Sequence, residues 1–259
     1  MRARFCTILA AAGAITQTTD YDQGVALVGK GQAAAAVPFL MRATQTRPKE
    51  AQTWKALGVA YATQEQYELA EPSFRRACEL DPKLADACYY HGRALYALDR
   101  YEPSLRALEQ ALATNPKSWE AHLGIAQALE ALGKAAEAEK EFHDALSLCR
   151  NTDPQPGAAY GRFLLRQGRF QDAIAPLEEV LTRFPGSADA NTHLGRALLE
   201  QGQLAEAIRC LERAIASQPA SAQAHLLVAK AYVRAGRAAE AQPHFESAAR
   251  YERASQGAK

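Results

Sequence analysis

Residues 51–84 read AQTWKALGVAYATQEQYELAEPSFRRACELDPKL, and this stretch holds two helical periods joined by a polar turn. Trp54, Leu57, Gly58 and Tyr61 recur at i, i+3, i+4 and i+7, a spacing that gathers side chains on one face of a helix. Gln64, Glu65 and Gln66 interrupt the pattern. Tyr67, Ala70, Phe74 and Ala77 resume it as far as Asp81-Pro82. There the proline, which lacks an N–H and restricts its predecessor, stops the helix. Gly58 and Ala70 are small enough to let the two helix backbones approach, while Trp54, Tyr61 and Phe74 fill the space beside them.

Working outward, the same hairpin returns along the chain. A turn column runs through Gly31, Glu65, Asp99, Gly133, Gly168, Gly202 and Gly236, with steps of 34, 34, 34, 35, 34 and 34. A small-residue column (Gly24, Gly58, Gly92, Ala126, Gly161, Gly195, Ala229) keeps the same steps. So does a column of large apolar residues: Leu40, Phe74, Leu108, Phe142, Leu177, Leu211 and Phe245. Pro48, Pro82, Pro116, Pro185 and Pro219 close most units. Pro38, Pro72, Pro103, Pro176 and Pro243 are expected early in the second helices, where few or no intrahelical bonds are lost. A fixed period of this length signals a stack of identical supersecondary units.

The residues Trp54, Leu57, Gly58, Tyr61, Ala70, Phe74, Ala77 and Pro82 resemble the tetratricopeptide signature at each of its positions. The sixth unit resembles it through Leu194, Gly195, Leu198, Ala207, Leu211, Ala214 and Pro219. The resemblance implies an all-α, right-handed superhelical solenoid of about seven helix-turn-helix repeats. Repeats one to four would occupy residues 17–152, a Pro-rich loop 153–157, repeats five to seven 154–255, and a short tail 256–259. The one-residue change of step falls in that Pro-rich segment, read as a longer loop in a continuous stack rather than a hinge. The fourth and seventh units depart from the pattern, with Arg150 and Arg253 in place of the closing proline and Ala126 and Ala229 in place of the glycine.

Composition narrows the function classes. The chain has 259 residues, 48% hydrophobic and 23% charged, so it can build a full core and is not a disordered tail. A formal net charge of +1 supplies no global field for a polyanion. Arg2 and Arg4 precede an uncharged apolar stretch, Phe5 to Ile15, with Ala12-Gly13-Ala14 as a small-residue exit. Residues 1–14 are therefore read as a cleaved secretory signal, in preference to an apolar helix packed on the first repeat. The stretch is shorter than the roughly 20 apolar residues needed to cross a bilayer. Cys6 follows Ala3-Arg4-Phe5, which is not the apolar lead-in of a lipid anchor. The expected location is secreted or periplasmic, or cytoplasmic if the segment is retained.

No pair of the five cysteines has zinc-ligand spacing. Cys78 and Cys88 are expected to be buried near one another across a repeat interface, as small apolar fillers or as a disulfide. None of the six histidines stands in a metalloprotease motif, and no phosphate-cradling or nucleophile-elbow glycine pattern occurs. His122 and His225 share the Trp54 column and read as packing residues. No catalytic residue, metal, cofactor or small-molecule substrate is therefore expected, and the chain does not read as an enzyme.

In the family that the chain resembles, the first helix of each unit lines a concave binding face, and the residue after the signature Gly or Ala points into it. Here those residues are Val25, Val59, Arg93, Gln127, Arg162, Arg196 and Lys230. One turn earlier stand Tyr21, Lys55, Tyr89, Leu123, Ala158, Thr192 and Leu226; one turn later, Gly29, Thr63, Ala97, Ala131, Arg166, Glu200 and Arg234. The resulting candidate groove is Tyr89, Arg93, Tyr96, Gln127, Arg162, Arg166, Arg196, Lys230 and Arg234. Arg suits two-pronged carboxylate recognition and Tyr gives stackable area, so an extended, acidic segment of another protein is the expected partner. The bland alternative is a solvated surface on which Glu200 offsets Arg196. Some family members hold a C-terminal carboxylate with a Lys and Asn clamp; Lys55 is followed by Val59 and no Asn stands on the rungs, so that specificity is not carried over. Two further readings stand behind the scaffold: a single-stranded RNA binder, disfavoured by the charge and the export signal, and a non-catalytic regulatory subunit of an enzyme.

Overall fold

The computed structural model describes residues 19–150 and 152–257, so the expected signal segment lies outside the described residues. The chain divides into two compact units, Met1–Leu98 and Asp99–Lys259. The first contains α1 (Asp20–Gly29), α2 (Ala33–Thr46), α3 (Ala51–Ala62), α4 (Tyr67–Leu80) and α5 (Ala85–Ala97). The second contains α6 (Tyr101–Thr114), α7 (Trp119–Ala131), α8 (Ala135–Cys149), α9 (Gln155–Arg166), α10 (Phe170–Arg183), α11 (Ala188–Glu200), α12 (Leu204–Ser217), α13 (Ala222–Arg234) and α14 (Ala238–Gly257). The described residues form helices and turns without strands, an all-α helical-repeat solenoid.

The turn column works by backbone geometry. Gly31, Gly133, Gly168, Gly202 and Gly236 adopt φ between 73° and 76°, and Glu65 and Asp99 hold the same left-handed region at 58° and 56°. That conformation lets the next residue's N–H reach back, as in Gln32 to Leu27, Arg169 to Leu164 and Gln203 to Leu198, each at 2.9 Å. These are the closing bonds of Schellman caps. Because the cap turns the chain in so few residues, the second helices begin early. Pro38, Pro72, Pro176 and Pro243 consequently lie inside α2, α4, α10 and α14 rather than at their unpaired starts. Each removes one ladder bond, within the few expected to be lost.

Within each hairpin the small-residue column meets the large apolar one. A Cβ on Gly58 would stand 2.6 Å from the Phe74 ring, and one on Gly161 would stand 2.5 Å from Leu177. Only glycine permits that approach without displacing the neighbour. Leu40, Phe74, Leu108, Phe142, Leu177 and Leu211 are accordingly 0–1% exposed.

The Trp54 column has a second purpose. Trp54 Nε1 donates to the Pro48 carbonyl (2.9 Å) and Asn191 Nδ2 to that of Pro185 (2.9 Å). His122 Nε2 and His225 Nε2 stand against the carbonyls of Pro116 (3.3 Å) and Pro219 (3.0 Å). Each ties a first helix to the turn preceding it. At the corresponding position Cys88 instead forms a disulfide with Cys78, Cα–Cα 4.9 Å, and both residues are buried.

The Pro-rich segment differs from the expected 153–157 loop. Arg150 ends α8 with φ 48°, and α9 begins at Gln155, so 155–157 are helical. Pro156 lies in the first turn of α9, where its missing N–H and preset φ favour the helix. Buried Gly157 admits Val180, whose Cγ2 would stand 2.2 Å from a Cβ there. α9 packs on both α7 and α8, so the stack continues through the segment inside the second unit. The sequence places no boundary at Leu98, where the two units divide.

Candidate functional site

In the second unit, α7, α9, α11 and α13 pack in succession and form an inner layer of first helices. Gln127, Arg162, Arg196 and Lys230 occupy one register on these four helices, one residue after Ala126, Gly161, Gly195 and Ala229. Gln127, Arg162 and Arg196 are half-buried and Lys230 is exposed. None of the three cations has an ion-pair partner among the described residues, whereas those one turn later do. Arg166 Nη1 lies 3.2 Å from Glu130 Oε1; Arg234 lies 3.7 Å from Glu200 and donates to the Leu199 carbonyl at 3.0 Å. Glu200 thus offsets Arg234, not Arg196 as the alternative reading had it.

The residues one turn earlier do not all line this face. Leu123, Ala158 and Thr192 are buried, and Thr192 Oγ1 donates to the Ala188 carbonyl. A helical side chain covers the turn N-terminal to its own Cα, so a step of three rather than four follows the surface here. That step reaches His193, which sequence reasoning missed. Burial, reinforced by the nearby Arg162, pulls its ring down to about 4. Arg196 and Arg166 act in the same direction and Asp189 opposes them. His193 Nδ1 and Arg162 Nε are buried with no hydrogen-bond partner in the protein. Its position one turn before Arg196 is legible in the sequence; its burial is not.

The C-terminal end of this layer is apolar as well as basic. An open cavity of about 540 Å³ is lined by Arg196, Glu200, Leu226, Lys230, Val233, Arg234 and Phe245, among others. Leu226, Val233 and Phe245 are 39%, 50% and 36% exposed, although their counterparts one repeat earlier (Thr192, Leu199 and Leu211) are 6%, 1% and 0% exposed. The earlier residues are covered by the following repeat. Phe245 is therefore not the closed core position that its column implies.

In the first unit the column is used differently. Arg93 Nη1 donates to Tyr89 Oη at 2.9 Å, and its guanidinium lies 5.8 Å from the centroid of that ring. Tyr96 is half-buried farther along α5. Lys55 pairs with Asp86 at 2.7 Å, and Val59 packs against the cluster around Phe74.

One group of possible metal-ligating atoms occurs among the described residues: His122, Glu141 and Asp144, half-buried and within 4.8 Å of one another. His122 Nδ1 contacts Glu141 at 2.7 Å while Nε2 faces the Pro116 carbonyl. This is the tether that Trp54 and Asn191 make without carboxylates. Tyr160, pushed up to about 12 by burial and by its bond to Glu139 (2.9 Å), belongs to a bracket in which Arg169 also grips Glu139 at 2.8 Å. That bracket links α8, α9 and the turn before α10. No described helix is long and apolar enough to cross a membrane.

Models of the tetratricopeptide repeat match residues 51–84, 89–156 and 164–231, well over half of the chain. No curated protein gives a significant match. Among solved structures, the chain is similar to the APC/C hetero-tetramer Cut9-Hcn1 with TM-score 0.74 and 17% identity, over 88% of this chain and 45% of that one. The chain thus spans less than half of that structure's length. PilW, described as a type IV pilus biogenesis factor, is similar with TM-score 0.70 and 20% identity, over 79% of this chain and 94% of that one. PilF of Pseudomonas aeruginosa is similar with TM-score 0.65 and 20% identity, over 79% and 93%. At these identities the likeness speaks for the fold.

Proposed function

The chain belongs to the tetratricopeptide-repeat family, and from that premise we propose that it is a non-catalytic scaffold holding an extended acidic segment of another protein. The segment lies along the inner layer of α9, α11 and α13. The carrying observation is that Arg162, Arg196 and Lys230 occupy one register on successive packed helices without a carboxylate of their own. A charge left unpaired in a protein that pairs its neighbours is available to a partner. Half-burial of Arg162 and Arg196 lowers the local dielectric and strengthens whatever charge meets them. The exposed Leu226, Val233 and Phe245 beside Lys230 add an apolar seat for a large side chain of the same segment.

The working compartment is read as exported or periplasmic. The Cys78–Cys88 disulfide supports that reading, because such bonds persist in oxidising compartments. The likeness in fold to PilW, a type IV pilus biogenesis factor, is in keeping with that reading. N-terminal sequencing of protein from its native host should begin after residue 14; recovery of Met1 on cytosolic protein ends the export reading.

The groove is tested by reversing Arg162, Arg196 and Lys230 to Glu together. The control is an equal reversal at Arg106, Arg183 and Arg213, exposed residues of second helices. Titration with a fluorescent octa-aspartate peptide, or with a co-purified partner, should show an affinity loss on the order of 1 kcal/mol per site, about a hundredfold in all, for the groove variant alone. Equal affinity for both variants, with melting preserved, would show that the stripe is ordinary solvated surface.

A further inference from the structure

The inference concerns His193 and rests on the groove reading above. His193 stands one turn before Arg196 on α11 and interacts electrostatically with Arg162 and Arg166 of the adjacent α9. Two of the atoms in this cluster are in an unusual condition. Arg162 Nε, an obligate donor, and His193 Nδ1 are both buried without a hydrogen-bond partner in the protein. Each such orphan carries an uncompensated desolvation penalty, and native proteins retain few of them. Three guanidiniums, Arg162, Arg166 and Arg196, bear on the ring, and two carboxylates answer them: Asp189 on its own helix and Glu130, which pairs Arg166. Elsewhere among the inner-face arginines of this unit the same deficit has been met: Arg166 by Glu130, Arg234 by Glu200 and the Leu199 carbonyl. The local chemistry lacks one anion.

We propose that Arg162, His193 and Arg196 form a proton-coupled carboxylate subsite, at which a partner's acidic side chain docks and the imidazole takes up one proton from solvent. No bond is made or broken except that N–H. The Arg162 and His193 side chains turn outward to expose the two buried nitrogens, and the incoming carboxylate accepts from Arg162 and from the newly charged ring.

The sign follows from the environment. Burial and the arginines keep the ring neutral in the free protein, down to about 4 against an ordinary 6.5. A bound carboxylate favours the charged form and raises the ring toward its ordinary value. Binding therefore consumes a proton, and affinity for acidic segments increases as pH falls. If the carboxylate restores the ring to 6.5 from about 4, linkage makes binding about eightfold tighter at pH 5.5 than at pH 7. An aspartate probe, with side chains near 3.9, stays charged over that interval. The groups bearing on the ring are Arg162 and Arg166 from α9 and Asp189 and Arg196 from α11.

The experiment titrates the full chain with octa-aspartate at pH 7 and pH 5.5, for the wild type and for His193→Gln, which keeps a hydrogen-bonding side chain that cannot be charged. Ring-nitrogen NMR of the wild type with and without peptide reads the protonation directly and needs no variant. The proposal expects a severalfold tightening at pH 5.5 in the wild type, none in His193→Gln, and an imidazolium signal for His193 only when peptide is bound. Peptide binding with a neutral His193 and equal pH dependence in both proteins overturns the subsite and leaves the groove intact. Failure of the peptide to bind at either pH overturns the groove reading and the subsite with it.

Discussion

The two units build the same hairpin and use its first-helix column in opposite ways. In the first, Lys55 is paired with Asp86, Arg93 lies on Tyr89, and Val59 turns into the core. Cys88 is locked to Cys78. In the second, Arg162, Arg196 and Lys230 stand unpaired on successive helices, His193 is half-buried with its Nδ1 enclosed and without a partner, and Cys149 and Cys210 are free. The fold tolerates both because its stability comes from columns that point elsewhere. Positions along the inner layer can be used internally or left open without disturbing the packing of Gly58 on Phe74 or Gly161 on Leu177.

The largest effect is expected where the comparison predicts no difference. Phe74 and Phe142 fill the same column in the two units at 1% and 0% exposure. Phe74→Ala and Phe142→Ala should each cost about 3–5 kcal/mol by urea unfolding, through lost burial plus the cavity left behind. Phe245→Ala, in the same column but 36% exposed, should cost well under half as much. Equal losses at all three sites would mean that the last repeat is covered after all.

Next comes the bridge, which should break the symmetry. Reduction, or Cys78→Ser with Cys88→Ser, opens a loop of sequence separation 10 and should cost about 2–3 kcal/mol. Hydrogen exchange should locate the loss in α4 and α5 and leave α9 to α13 protected. Uniform loss of protection would show that the two units unfold as one.

Acid should act on the opposite side of the comparison. The His193 ring is held at about 4 in the folded protein and titrates near 6.5 when unfolded. The unfolded chain binds the proton first, so this group's contribution to stability falls between pH 6.5 and about 4 and is constant below. The loss is about 1–2 kcal/mol after allowing for the partial exposure of the ring, and it should be absent from His193→Gln. Melting curves of the two proteins that run parallel from pH 7 to 4 would remove His193 from the account.

The smallest effect sharpens the turn column. Gly202→Ala places a Cβ at φ 76° and should cost about 1 kcal/mol. Glu65→Gly, at φ 58° in the first unit, should be neutral or stabilising by a few tenths, since relief of strain offsets the extra freedom of the unfolded chain. A clear loss for Glu65→Gly would show that the Glu65 side chain matters beyond its backbone.

The sequence by itself determined the repeat, the helix pairs and the seven turns. These depend on contacts within a few residues: apolar spacing on one helix face, the cap at Gly31 or Gly202, the stop at Pro82. Even Glu65 and Asp99 could be placed in a glycine column by period alone, and both adopt the left-handed conformation of that column. Tertiary structure decided whether Cys78 reaches Cys88, where α9 begins, and that Glu200 faces Arg234 rather than Arg196. It also decided that His193, not Thr192, stands with Arg162. The bridge turns on how two neighbouring helices meet, and the Glu200 and His193 assignments turn on a side chain's direction relative to a helix about one repeat away. A rotation of one residue, about 100° of helix, exchanges a buried neighbour for an exposed one. Periodicity names the column; only the packed helices say which way it points.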